Sequence, residues 1–439
     1  VYNYFHIGNA RAFVFFDVVR RYFEYSGYEV KYVQNITDID DKIINQSIEE
    51  GISFETVADK YTKAFLEDCK ALGIKPPDEQ PRATHVMDDI VAYIAALEKA
   101  GYAYESNGDV YFDTASLPSY GSLSGKKTED QMTGARVAEN LYKRNPTDFT
   151  LWKNSKPGEP IWAGPWGEGR PGWHTECVVM SQKYLGESFD IHGGGIDLVF
   201  PHHENELAQA VALSGKPLAN YWMHNGFLNI DGEKMSKSLK NFFTARDILE
   251  EYDAEAIRFF FLSKHYRSPI DFTRELIEES KRAVANFYDA LKAVDYTTLL
   301  AAKGSEDSTK PKDLSPEELE FKAAMDDDFN TAKAIAVLFE LSRRAKNSTL
   351  DIQERRDSAL LMLRLGKVLG FFQRAEEKLS AKVPDLSQAL IELILSYRNE
   401  ARAKKDWAAS DKLRDDLAKL GVEIKDSPSG CTWSIKEHK

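Results

Sequence analysis

The chain has 439 residues, 43% of them apolar, so it can build more than one hydrophobic core and is expected to hold roughly two to four domains. Its formal net charge of −13 argues against a uniformly basic nucleic-acid-binding surface, though local basic patches can still hold a polyanion. No run of about 18 apolar residues and no basic-then-apolar leader occurs, which excludes a helical membrane span and a signal segment from the expectations.

Three cysteines (Cys69, Cys177, Cys431), far apart and odd in number, argue against a disulfide framework and for a cytoplasmic location. Val1-Tyr2-Asn3-Tyr4 lacks an initiator Met and runs straight into a motif, so the natural N-terminus is expected upstream.

In chain order, Phe13, Phe16, Val19 and Phe23 recur at helical spacing and predict a helix over Ala10–Tyr25, which Gly27 is suited to end. Tyr28–Ile36, rich in Val and Tyr, predicts a strand. That order suggests part of a parallel α/β sheet. Ser53–Leu72 and Asp88–Lys99 read as amphipathic helices, and Asp109–Asp113 as a short strand. Residues 145–230 are rich in Trp, Gly, Pro and His and carry five of the nine histidines (His174, His192, His202, His203, His224), a clustering that suggests a site. Ala245–Asp295 returns to helical patterns, residues 302–311 form a polar linker, and Ser315–Ala375 reads as a helix bundle. A break at Val383-Pro384-Asp385 precedes a last unit with one or two helices and a β-like end near Val422 and Trp433.

Two short motifs bear on phosphate chemistry. His6-Ile7-Gly8-Asn9 stands just before a helix, whose N-terminal N–H groups and dipole suit a phosphate. Gly8 allows close approach of a nucleotide, and His6 can donate to phosphate, although a lone His at a helix start is commonly a capping residue. Lys234-Met235-Ser236-Lys237-Ser238 forms a cationic segment able to neutralise a leaving pyrophosphate, with a solvated surface turn as the bland alternative. Neither a Gly-rich dinucleotide fingerprint nor a Walker A sequence is present.

A third constellation concerns a metal. His202 and Glu206 are four apart and share a helix face, and with Cys177 they supply three donors of the kind zinc takes. The pattern is not the HExxH of metalloproteases.

The first two motifs together, in this order, resemble the HIGH and KMSKS signatures of class I aminoacyl-tRNA synthetases, with Asn9 where the first motif normally ends in His. Asn35–Lys42, Gly169–His174, Asp190–Gly195 and Met325–Asn330 extend the resemblance over essentially the whole chain, to the cysteinyl-tRNA synthetase family. The resemblance implies an α/β fold: a Rossmann-like parallel-sheet catalytic domain, then an α-helical bundle and a small mixed C-terminal domain. The expected boundaries are 1–245 for the catalytic domain with its zinc site, lacking its first strand, 246–300 for a helical stem-contact region, 301–382 for a tRNA-binding bundle and 383–439 for an anticodon-binding domain.

It further implies His6 and Asn9 on the phosphates, Lys234 and Lys237 on the pyrophosphate, and Gly8, Gly194, Asp197, Met235 and Lys237 around ATP, with Mg2+. Thr37, Trp173 and His192 match positions lining the cysteine pocket. Zinc in this family is held by two Cys, one His and one Glu. Cys177, His202 and Glu206 match three of them, and the fourth is expected before Val1. Near the C-terminus, Arg402, Lys404, Lys405, Trp407, Asp411, Lys412 and Arg414 combine cations, an aromatic and a carboxylate on a helical stretch, which suits phosphates and an unpaired base.

The expected reaction is ATP-dependent ligation of L-cysteine to its tRNA. A pocket shape alone separates serine from cysteine by only about 1–3 kcal/mol, whereas a thiolate bonds zinc far better than a hydroxyl does. The rivals are a cysteine ligase with an amino-sugar acceptor, which needs no Trp407 unit, and a non-catalytic RNA-binding descendant, which would have lost His6, Lys234 and Lys237.

Overall fold

The computed structural model describes residues 1–126, 142–156, 158–230, 233–234, 243–295, 314–380, 387–420, 422–427 and 430–435. They form two compact units, Val1–Gln373 and Arg374–Lys439.

The first unit is organised around α1 (Ile7–Tyr25), with His6 as its N-cap, and Gly27 at φ +92° turns the chain beyond it. Ile7, Ala10, Val14 and Val18 are fully buried along one stripe. Burying an aliphatic side chain of the Val or Ile type contributes about 1.5–3 kcal/mol, so this helix is anchored in the core while its first turn faces a cavity. Two capped helices follow. Asp40 accepts from the N–H of Ile43 at 2.7 Å to start α2 (Asp41–Glu50), and Ser53 accepts from Thr56 at 3.2 Å to start α3 (Phe54–Ala71). α4 covers Met87–Lys99.

Tyr28–Ile36 is not a strand. It runs extended but pairs only through isolated bridges, Val33 with Glu79 and Ile36 with Arg82. Ile36 N–H donates to Pro81 O at 2.8 Å and Ala83 N–H to Ile36 O at 3.4 Å, but Pro81 has no N–H to give to Gln34 O, so the two bridges do not join into a continuous ladder.

The five-stranded sheet of the described residues is antiparallel. It contains β1 (Ala103–Ser106), β2 (Asp109–Phe112), β3 (Phe149–Asn154), β4 (Trp162–Gly164) and β5 (Gly167–Pro171), in the order β1-β2-β3-β5-β4. Two-residue connections join β1 to β2 and β4 to β5, which fits antiparallel pairing. Its inner face packs Phe112, Phe149 and Trp152 against Ile90, Ile94 and Leu97 of α4.

Parallel pairing belongs to the crossover that follows α5 (Trp173–Leu185). There β6 (Phe189–Gly195), α6 (Glu204–Ser214) and β7 (Ala219–Asn225) form a βαβ unit in which Gly194 lies opposite His224. β8 (Leu228–Ile230) then pairs with β9 (Glu233–Lys234) antiparallel and with β10 (Ile270–Phe272) in parallel. Helices α7 (Ala245–Glu251), α8 (Ala254–Leu262) and α9 (Arg274–Lys292) flank these strands. A bundle of α10 (Pro316–Asp326), α11 (Thr331–Lys346) and α12 (Ile352–Val368) completes the unit.

The second unit contains α13 (Ala375–Ser380), α14 (Ser387–Ala403), α15 (Trp407–Lys419) and a hairpin of β11 (Val422–Ser427) with β12 (Gly430–Ile435). Ile391, Leu395, Leu417 and Val422 make its core. The cationic stretch near Trp407 is therefore not one helix. Lys404, Lys405 and Asp406 form a turn, with Lys405 at φ +60° and the Asp406 side chain capping α15. The linker at 302–311 and the break at Val383–Asp385 lie outside the described residues. Among the described residues no helix is long and apolar enough to cross a membrane.

Candidate active site

One cavity of about 1850 Å³ collects residues from α1, α5, β6, α6 and β7. Its walls include His6, Asn9, Thr37, Trp173, Cys177, His192, Gly194, Asp197, His202 and Glu206. A ligand pocket is commonly about 300–1,000 Å³, so this space accommodates more than one substrate. Gly8 sits on the first turn of α1 but is not among the lining residues.

The phosphate-facing end is built by α1. His6 Nδ1 accepts from the N–H of Asn9 at 3.3 Å, so in the neutral ring the proton sits on Nε2, where it can be donated. Burial lowers the His6 pKa, with Asp197 opposing that shift, which keeps the ring neutral at ordinary pH.

The chain after the lysine motif returns to this point. Ile7 N–H donates to Phe243 O at 3.1 Å, Ala245 N–H to Phe5 O at 2.9 Å, and His6 bridges Thr244. The segment entering the motif is tied to α1 as well. The buried Arg11 guanidinium donates to the carbonyls of Gly226 and Phe227 at 2.8 and 3.0 Å, just before β8. Lys234 closes β9 opposite Asn229, while Met235 and Lys237 lie outside the described residues.

The other end is the histidine cluster. Tight backbone packing sets β6 between α1 and this cluster: a Cβ on Gly193 would sit 2.2 Å from the Phe16 ring of α1, and one on Gly194 would sit 3.0 Å from His203. Phe200, non-helical at φ −138°, and a cis Phe200–Pro201 bond precede His202, so His202 enters just before the regular turns of α6. The four-residue spacing still works: His202 Nε2 is 3.2 Å from Glu206 Oε1.

Glu206 is fully buried. Its Oε2 accepts from His192 Nε2 at 2.7 Å, and its Oε1 makes no hydrogen bond. Burial alone would raise this carboxyl, but His202 and His192 bring it well below the usual range. Cys177 Sγ accepts from Asn35 at 3.4 Å, and burial together with Glu206 and Glu176 holds the thiol protonated. His202 Nδ1 pairs with His174 Nδ1 at 2.8 Å, and Trp173 stacks on the His202 ring with centroids 3.8 Å apart. Were His202 to donate from Nδ1 to His174, its Nε2 lone pair would be free to join Cys177 and Glu206 on a metal.

The ligand atoms of Cys177, His202 and Glu206 lie within 4.8 Å of one another, and so do those of His192, His203 and Glu206. The second set carries no thiol, and His203 Nδ1 is engaged by His224 Nε2 at 2.8 Å. Burial pushes His174 down to about 3 and His203 to about 2, so both rings stay neutral. Sequence reasoning assigned no role to His174, His203 or Asn35. Their signal was the histidine clustering, and nothing local indicated which ring pairs with which.

In the second unit, Trp407, Asp411 and Arg414 follow at helical spacing on α15 and are exposed, while the half-buried Arg402 belongs to α14.

Comparison with known proteins places the chain in a family. The family model for the class I (C) tRNA synthetase catalytic domain matches residues 1–282, the DALR domain matches 320–373, and the cysteinyl-tRNA ligase anticodon-binding domain matches 383–433. A cysteine–tRNA ligase from Pelobacter propionicus is 46% identical over 99% of this chain and 94% of its own length. One from Geobacter sulfurreducens is 47% identical over 99% and 93%. Among solved structures, Mycobacterium tuberculosis methionyl-tRNA synthetase with methionyl-adenylate superposes with TM-score 0.57 at 13% identity, covering 90% of this chain and 91% of that one. Agrobacterium radiobacter LeuRS in a ternary complex with tRNA gives 0.61 at 11% identity, covering 84% and 82%. These two likenesses concern the fold, which is that of the class I synthetases. The chain belongs to the cysteine–tRNA ligase family of class I aminoacyl-tRNA synthetases.

Proposed function

We propose that this protein joins L-cysteine to its cognate tRNA in two steps at the α1–β6 cavity. The cysteine carboxylate attacks the α-phosphorus of ATP, the bond to the β-phosphate breaks, and cysteinyl-adenylate and pyrophosphate result. A hydroxyl of the terminal adenosine of the tRNA then attacks the acyl carbon, and AMP leaves. The observation that carries this reading is the meeting, in one cavity, of the α1 N-terminus with the Cys177–His202–Glu206 set.

His6 donates from Nε2 to a phosphate oxygen beside Asn9, and the positive end of α1 adds to that field. Lys234 and Lys237 neutralise the pyrophosphate, a charge that Mg2+ would also offset when bound. Gly8 and Met235 belong to the ATP-binding segments by family resemblance. Gly194 admits the adenosine, and Asp197 accepts from its ribose. Thr37, Trp173 and His192 line the cysteine side.

Cys177, His202 and Glu206 fit a zinc ion. They offer one sulfur, one nitrogen and one carboxylate oxygen, and Glu206 Oε1 is buried with no hydrogen bond of good geometry, its nearest polar neighbour being His202 Nε2 at 3.2 Å. Bound there, zinc would select a substrate thiol over a hydroxyl. His192 orients Glu206 and His174 orients His202, so the donor set is held before any ligand arrives.

The anticodon-binding family match at 383–433 supports tRNA rather than an amino sugar as acceptor. We assign 1–245 to catalysis, 246–300 to the acceptor stem, 301–382 to a tRNA-contacting bundle, and Arg402, Trp407, Asp411 and Arg414 to the anticodon. A cytoplasmic location accords with this role.

Cysteine-dependent ATP–pyrophosphate exchange, run with and without a zinc chelator, is the direct test. Exchange should be lost on chelation and restored by zinc. Equal exchange with serine on the zinc-loaded protein would sink the metal's role. Removing residues 386–439 should abolish tRNA charging while sparing exchange.

A further inference from the structure

Arg267 stands on the turn between α8 and β10 and lines the cavity. Its Nε donates to Asp328 Oδ2 at 2.6 Å and its Nη2 to Asp328 Oδ1 at 3.1 Å. The guanidinium carbon lies 4.9 Å from the Tyr266 ring centroid, and the Tyr266 hydroxyl donates to Asp328 Oδ1 at 2.8 Å. This side-on clamp engages two of the three guanidinium nitrogens and leaves the Nη1 edge outside the ion pair. The Arg267 side chain is 55% exposed.

Both halves of the clamp are fixed from behind. Arg11 holds the turn by donating to the carbonyls of His265, Tyr266 and Ser268 at 3.3, 3.3 and 2.6 Å. The Tyr266 ring stacks on Phe15 with centroids 4.1 Å apart. Asp328 lies in the loop from α10 to α11, where Asp328 and Phe329 take φ of +52° and +54°. A bulky aromatic residue adopts that region only when its surroundings impose it. Here the Phe329 ring packs against Phe15 and Phe23, and Thr331 Oγ1 ties the loop to Leu262 O at 2.7 Å.

An exposed ion pair adds little stability. A buried arginine and a strained loop are out of proportion to holding one for that purpose. They are in proportion to keeping a planar guanidinium aimed in one direction, which is the geometry of phosphate recognition. The pair also bridges the catalytic fold to the helix bundle, and both residues line the cavity wall.

We propose that Arg267 contacts a phosphate of the unpaired terminal nucleotides of the tRNA during aminoacyl transfer, and that Asp328 is the positioning residue that aims it. The inference rests on the cysteine–tRNA ligase reading. The phosphates of ATP are handled by the α1 N-terminus and the lysine motif, so formation of the adenylate does not call on this pair.

The test compares R267A, D328A and the double variant with the wild-type chain. Cysteine-dependent pyrophosphate exchange reports the first step, and single-turnover transfer to tRNA reports the second. R267A should leave exchange at the wild-type rate and slow transfer roughly 10- to 100-fold, as expected for a lost charged hydrogen bond. Its tRNA KM should depend less on salt, with a logarithmic slope smaller by about 0.7, the value for one phosphate on a single strand. D328A should reproduce a smaller transfer defect, and the double variant should be no worse than R267A, because both act through one contact.

R267K and D328E, which keep each charge but break the fork, should fall between wild type and alanine, and they stand in if an alanine variant fails to fold. Equal losses in both steps, no loss in transfer, faster transfer in D328A, or additive defects would each overturn the proposal. Absence of cysteine-dependent exchange in the wild-type chain would instead overturn the reading beneath it.

Discussion

His6 and Thr244 face each other across an antiparallel bridge, flanked by hydrogen bonds from Ile7 to Phe243 and from Ala245 to Phe5. The two phosphate motifs are remote in sequence, yet the chain leaving the second is laced directly to the start of the first. Arg11 ties down the chain entering β8. The described residues before and after the lysine segment are therefore both tied to the start of α1.

That arrangement separates two jobs of His6. H6N keeps an acceptor for the N-cap but removes the Nε2 donor, so exchange should drop at least about tenfold while the melting temperature holds. H6A should lose the cap as well, at a cost of about 1 kcal/mol in denaturant unfolding. Full exchange by H6N would exclude His6 as a phosphate donor.

His192 should matter to the metal without being a ligand of the thiol-containing set. It donates to Glu206 Oε2 at 2.7 Å, and loss of such an orienting partner costs about 10- to 100-fold in metal affinity. H192A should bind zinc more weakly in a competitive chelator titration, whereas E206Q should retain none after dialysis. Unchanged zinc affinity in H192A would show that Glu206 needs no orientation.

The pH dependence follows from His224, which burial, with His192 and Arg267, lowers to about 4. The folded state binds this proton less well than the unfolded state does. Its contribution is thus complete above about pH 6.5 and is lost as pH falls from there toward 4. One such proton sets a ceiling of about 1.4 kcal/mol per pH unit, trimmed by partial exposure. Urea unfolding of H224N between pH 7 and 5 should show a shallower loss than wild type, and parallel curves would refute the assignment.

Arg258 carries the largest expected stability effect. It is fully buried and donates to Asp17 at 2.6 Å and to the carbonyls of Leu72 and Leu369 at 3.1 and 3.2 Å. R258A strands these acceptors and should cost about 3–5 kcal/mol. Gly370, at φ +77°, packs so closely that a Cβ would lie 2.0 Å from Arg258 Nη2, so G370A should destabilise in the same direction. Thermal unfolding that matched wild type for both variants would rule out this ion pair as an anchor between α1 and the bundle.

By itself the sequence determined what local chemistry controls. Helices could be placed from Ser53, from the apolar stripe of α1 and from the glycine after it, because caps and periodicity act within a few residues. The histidine density of 145–230 and the His202/Glu206 spacing likewise pointed to a site. Family resemblance, spread over many short segments, carried the class of reaction.

Tertiary structure alone decided the rest. It interrupted the pairing of Tyr28–Ile36 at Pro81, added a five-stranded antiparallel sheet beside the parallel β6–β7 pair, and broke the cationic stretch at Lys405. It also matched His174 to His202, His192 to Glu206 and Arg267 to Asp328. Those partners are distant in sequence or lie on different elements, so no local period announces them. They meet because Arg11, the β6 glycines and the α10–α11 loop fix how closely separate elements approach, and that distance is set only when the core packs.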